Sequence, residues 1–82
     1  MLEIDLRTGN QLIKLGLNIQ YYRKLRSLTQ VELSEKANVS EAVIGRIEAS
    51  NLYANPKTAT ILKIAYALEI SPSKLFEFRD DN

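Results

Sequence analysis

The sequence predicts an all-α, compact five-helix domain behind an extended N-terminal arm with the alternation of a β-strand. Three observations carry this. Apolar residues recur at spacings of three and four through most of the chain. Thr29, Ser40 and Ser71, residues that favour helix starts, stand immediately before such stretches. Pro56 and Pro72 each follow an Asn or a Ser, as proline does at a first helical position.

The chain divides into an arm over residues 1–10, a domain over 11–78 and an acidic tail over 79–82. In the arm, Leu2, Ile4 and Leu6 alternate with Glu3, Asp5 and Arg7, the period of a strand, until Gly9-Asn10 breaks it. A lone strand cannot satisfy its backbone. It either pairs with its copy in a second subunit, as a two-stranded ribbon, or starts disordered or packs on its own domain. From residue 11 to 27 the period becomes helical, with Leu12, Leu15, Ile19 and Tyr22 on one stripe.

Thr29-Gln30-Val31-Glu32 fits a capping box, and Val31, Leu33 and Ala37 supply the apolar side of a short second helix. Ser34 is small where a neighbouring helix must come close. Asn38 tolerates the left-handed conformation that ends a helix sharply, and Ser40 caps a third helix over residues 41–49. Two helices about the turn Asn38-Val39-Ser40, with Val39, Ile44 and Ile47 facing inward, form a helix–turn–helix unit. Asn55-Pro56 opens a fourth helix whose buried stripe is Ile61, Ile64, Ala65 and Leu68. Ser71-Pro72 opens a short fifth containing Leu75 and Phe76.

Composition narrows the function. Eighty-two residues make one domain, which buries roughly 60% of its unfolded surface. With no Cys and no His, the chain lacks a disulfide frame, a thiolate nucleophile, the usual neutral base and the commonest metal ligand. It is therefore not read as an enzyme, and no metal or cofactor is expected. No apolar run approaches the ~20 residues of a membrane span, and an acidic N-terminus is unlike a secretory leader. The expected location is cytoplasmic. Net charge is only +1, but Arg23, Lys24, Arg26, Lys36 and Arg46 gather in the middle third while Glu77, Asp80 and Asp81 crowd the end.

Taken in order, Ile19…Arg23…Leu28-Thr29-Gln30-Val31-Glu32-Leu33, Val39-Ser40, Ile44-Gly45-Arg46-Ile47-Glu48, Asn55-Pro56, Leu62…Leu68, Ile70-Ser71 and Leu75-Phe76 resemble the phage repressor and Cro family of helix-turn-helix proteins, the xenobiotic-response-element class. The resemblance covers residues 12–78. It implies sequence-specific binding to double-stranded DNA, usually as a homodimer, with the third helix in the major groove. By the same carry-over Gln30 touches phosphate, Glu41, Ala42, Gly45 and Arg46 face base edges, and Ser40 joins them at the head of the helix. Arg23 pairs with Glu48, tying the first helix to the end of the third. Asn38 and Glu69 stand at common glycine sites of the family. The loop over residues 49–55 is two residues longer than usual and has no cation for phosphate contact.

The residue types suit the task. A helix of about nine residues is ~13 Å long, matching a major groove ~12 Å wide. Ala42 and Gly45 permit close approach, and Ala42 can meet a thymine methyl. Arg46 can grip guanine O6 and N7, while Glu41 can accept from a cytosine amino group. The alternative is that Glu41 and Arg46 are only a solvated helix face. Gln30, in a first helical turn, sits where free amides favour an anion, and Arg23, Lys24 and Arg26 offer further backbone contacts. The tyrosines are scattered: Tyr22 is expected in the core, and Tyr53, in the loop, is the one that could touch DNA.

The sequence therefore predicts a transcriptional regulator, repressor or autoregulator, acting as a dimer on a palindromic operator. Leu2, Ile4 and Leu6, or Phe76 and Phe78, are the candidate dimer contacts. Alternatives on the same fold are a protein-interaction module, an antitoxin that also clasps a toxin, or a restriction–modification controller. With only four residues after Phe78, no ligand-sensing domain is expected, so an inducer would act through a partner or proteolysis.

Overall fold

The structure is a computed structural model that describes residues 4–49 and 54–78. Its elements are α1 (Leu6–Leu25), α2 (Gln30–Ala37), α3 (Glu41–Glu48), α4 (Thr58–Ala67) and α5 (Pro72–Leu75). No strand occurs among the described residues. α1 packs on α3 and α5, while α2 packs on α3 and α4 and α4 on α5. Leu15, Ile19, Leu33, Ile44, Ile64, Leu68 and Leu75 are fully buried at the centre, so every helix contributes to one core.

The predicted arm is corrected. The alternating segment gives way to helix at Leu6, five residues early, and Gly9-Asn10 lies inside α1. Asp5 explains this. Its Oδ1 accepts the Thr8 amide at 2.7 Å, and its carbonyl accepts the Gly9 amide at 2.9 Å. A cap satisfies the backbone locally, which a strand without a partner cannot do. The bond from Thr8 holds the Asp5 carboxyl below the usual carboxylate range. The cap is therefore fully present above that range and is lost as pH falls. Leu6 stands 81% exposed on the helix, Ile4 is half-buried without strand structure, and Leu2 lies outside the described residues.

α4 also starts later than predicted. Asn55 and Pro56 precede the helix, and Lys57 takes the N-cap position with extended backbone and no side-chain cap. A residue before proline is driven to extended conformation. Here the extended stretch continues to Lys57, which brings Ala54 and Pro56 beside Val43 of α3. Val31, placed on the apolar side of α2 by its spacing, is instead 42% exposed; Leu33 and Ala37 are buried as expected.

Three helices end on non-glycine residues in the left-handed region: Ser27 (φ 59°), Asn38 (φ 57°) and Glu69 (φ 61°). The bonds are those of a Schellman turn each time. Leu28, Val39 and Ile70 donate back to the carbonyls of Arg23, Ser34 and Ala65 at 3.0–3.1 Å. Asn38 does what glycine would, and Glu69 is forced into the same turn. A residue with a Cβ costs roughly 1–2 kcal/mol there, and glycine costs roughly 0.5–1 kcal/mol more in unfolded-chain entropy. Glu69→Gly should therefore raise stability by about 0.5–1 kcal/mol in chemical denaturation. An unchanged or lower midpoint would show that the turn is not strained.

Candidate nucleic-acid interface

The helix–turn–helix is set by its caps. Thr29 Oγ1 accepts the Glu32 amide at 3.0 Å while Glu32 Oε1 accepts the Thr29 amide at 2.8 Å, completing the capping box. Ser40 Oγ accepts the Val43 amide at 3.2 Å and starts α3. Ser34 is buried between, with its hydroxyl returned to the Val31 carbonyl at 2.7 Å.

These caps fix the rotation of α3 about its axis. Ile44, Ile47 and Glu48 turn inward. At 100° per residue, Glu41, Ala42, Gly45, Arg46 and Ala49 share the opposite face. Glu41, Ala42 and Arg46 are exposed, and a Cβ built on Gly45 meets nothing within 4 Å. Of the residues assigned to base edges, Glu41, Ala42, Gly45 and Arg46 lie on this one face, while Ser40 precedes the helix with its hydroxyl engaged as the cap.

Two structures flank it. On the Glu48 side, the buried carboxylate accepts from Arg23 Nε at 2.7 Å (Oε2) and from Arg23 Nη2 at 2.9 Å (Oε1). Gln30 Nε2 donates to the same Oε1 at 3.1 Å, and Arg23 Nη1 donates to the Leu28 carbonyl at 2.7 Å. The bonds to Glu48 push Arg23 further into its charged form. The expected Arg23–Glu48 pair is thus present, and Gln30 is held by it. On the Val43 side, a hollow of ≈ 340 Å³ is lined by Val43, Arg46, Ala54, Asn55, Pro56, Lys57 and Thr60.

Lys57 was not legible as part of the site. Reading Pro56 as the first helical residue put Lys57 into the body of α4, whereas the extended stretch carries it into the hollow beside Arg46. Arg26, a candidate phosphate contact, is engaged elsewhere: its Nε donates to the Leu68 carbonyl at 2.8 Å and its Nη2 to Glu69 at 3.3 Å. It closes the end of α4. Tyr22 packs on the core as expected, with Tyr21 edge-on to it at 5.0 Å. Tyr53 lies outside the described residues.

Away from this face, Asn18 Nδ2 donates to the Leu75 and Glu77 carbonyls at 2.9 and 3.3 Å, pinning the end of α5 on α1. There the Phe76 and Phe78 rings lie 6.3 Å apart, with Phe76 half-exposed.

A helix-turn-helix family model matches residues 19–75. The chain belongs to this family. One relative is the immunity repressor protein of Bacillus phage phi105, 42% identical over 60 residues, which are 73% of this chain and 40% of that protein. Among solved structures, the restriction-modification controller protein C.AhdI from Aeromonas hydrophila superposes with a TM-score of 0.73 at 31% identity, covering 79% of this chain and 96% of that one. SinR, a master regulator for biofilm formation solved in complex with DNA, superposes at 0.71 with 33% identity over 77% and 98%. The chain spans between 40% and 60% of the lengths of the curated relatives it matches.

Proposed function

We propose that this chain binds double-stranded DNA as a two-fold dimer and acts as a transcriptional repressor or autoregulator in the cytoplasm. α3 enters the major groove of each half of a palindromic site. The observation that carries the reading is the outward face of α3. Its small residues, Ala42 and Gly45, allow backbone approach, and Arg46 stands exposed beside them. Glu41 and Ser40 lie at the leading end, and Gln30 at the start of α2 faces phosphate. Lys57 and Arg46 bring positive charge to the opposite margin, the role that the loop itself cannot fill. Phe76 and Phe78, or Leu2, Ile4 and Leu6, are the proposed dimer contacts, with Leu6 and Phe76 exposed on the surface.

Selection of duplexes from a random pool by the pure protein tests this. A two-fold symmetric consensus is expected, with half-sites one helical turn apart. If each dimer meets roughly 6–8 phosphates, log affinity should fall against log salt with a slope of about −5 to −7. Arg46→Ala should cost about 1–3 kcal/mol at one base pair per half-site and relax the preference there. A flat salt dependence, or no enrichment, would reject the DNA reading.

Gly45 separates folding from binding. Its Cβ position is open, so Gly45→Ala should raise stability by about 1 kcal/mol through helix propensity. Gly45→Leu should fold normally and lose DNA affinity, because the added side chain occupies the approach path. Normal binding by the leucine variant would move the DNA surface off this face.

A further inference from the structure

We infer that Glu48 is a positioning residue for DNA contact: neutralised by Arg23, its carboxylate fixes the Gln30 amide so that one N–H of Gln30 remains to donate to phosphate. The inference rests on the duplex-binding reading above.

The geometry is one of three elements meeting on a single buried carboxylate. Glu48, at the end of α3, is 5% exposed. Arg23 from α1 already serves both of its oxygens, at 2.7 and 2.9 Å. The third bond, from Gln30 Nε2 at 3.1 Å, is therefore not needed to satisfy the ion pair. Its effect falls on Gln30.

A glutamine amide offers two N–H donors on one side and a carbonyl acceptor on the other. Phosphate oxygens accept and do not donate, so only the nitrogen side of Gln30 is useful to them. Left alone, the amide presents either side and loses rotamer freedom on binding. Glu48 removes the choice. The reversed amide would set its oxygen against a carboxylate oxygen, acceptor on acceptor. With nitrogen on Glu48, the amide is oriented before DNA arrives.

A bare carboxylate in that place would repel the phosphate it helps to recruit. Arg23 solves this, since its two bonds cancel the charge within hydrogen-bond distance. The backbone agrees with the assignment. Gln30 is the first residue of α2, and free amides of a helix's first turn favour an anion at the same spot. Arg23 and Glu48 thus act on DNA through Gln30, without touching it.

A thermodynamic cycle on the full chain, using a duplex selected by the wild-type protein, tests the inference. In the wild-type background Gln30→Ala should weaken binding about tenfold, uniformly across sequences. In an Arg23→Met/Glu48→Met background, which removes both charges together, the same substitution should cost only about two- to threefold. Equal losses in the two backgrounds would overturn the positioning role while leaving DNA binding intact. If the wild-type protein binds no duplex, the DNA reading fails and this inference with it. A second measurement needs no variant. The Gln30 side-chain amide should show split, shifted and exchange-protected nitrogen–proton signals beside those of exposed Gln11. Solvent-like signals from Gln30 would show that Glu48 does not hold it.

Discussion

Gly16→Ala is expected to destabilise the domain by about 3 kcal/mol or more, although alanine is the better helix former. Gly16 is buried in the middle of α1, where that helix crosses α3. A Cβ added there lands on the carbonyl oxygen of Ile47, well inside van der Waals contact, with the Ile47 carbonyl carbon 3.0 Å away. The obstacle is backbone, so no rotamer change relieves it, and α1 and α3 must move apart. Overpacking of a well-packed core typically costs 1–3 kcal/mol, occasionally more; a backbone collision belongs at the upper end. For a domain of this size 3 kcal/mol is a large share of roughly 5–15 kcal/mol in total. Ile47 and Glu48 are neighbours, so the displacement also strains the Arg23–Glu48–Gln30 joint. Thermal unfolding should show the loss directly, and Gly45→Ala on the open face is the matched control. If both alanine variants are stabilised alike, α1 and α3 do not cross at Gly16.

The second large effect concerns the buried ion pair. Arg23→Met alone should cost about 3–5 kcal/mol, because it leaves the Glu48 carboxylate buried with only Gln30 as donor. Glu48→Met alone should cost as much, leaving the guanidinium with a single carbonyl partner, that of Leu28. The double variant is expected to recover most of the loss, since a buried pair replaced by apolar side chains of similar volume is often neutral or better. Denaturant midpoints of the four proteins give the coupling. Additive losses would mean that the two side chains do not act as a pair.

The contrast between these two sites shows how far sequence reasoning reached. The pair was legible through motif resemblance, since Arg23 and Glu48 stand in recognisable motifs. Gly16 carried no such signal: it sits in a helical stretch with no turn, cap or polar partner to mark it. Only the crossing of two helices gives it a role. Arg26 misled for a related reason. A cation off the apolar stripe reads as a free charge, and nothing local reveals that the carbonyls at the end of α4 lie within its reach.

The termini of elements divide in the same way. Thr29 with Glu32, Asn38, Ser40 and Ser71 act within two to five residues, so their caps are read directly from the sequence. Alternation in the N-terminal segment predicts a strand, but the structure starts a helix there on the Asp5 cap. The alternation is the weaker, because its stability depends on a partner strand, whereas a cap completes itself.

What the residues determined unaided is therefore whatever closes over short distances: five amphipathic or capped helices, the turn at Asn38, and an α3 with its small and charged residues on one face. The three-dimensional arrangement decided what depends on separated segments meeting: the Gly16–Ile47 crossing, the carboxylate shared by three helices, and the delivery of Lys57 to the margin of α3. Local hydrogen bonds are specified by neighbours in the chain, while close approaches exist only once the core has brought distant backbone together.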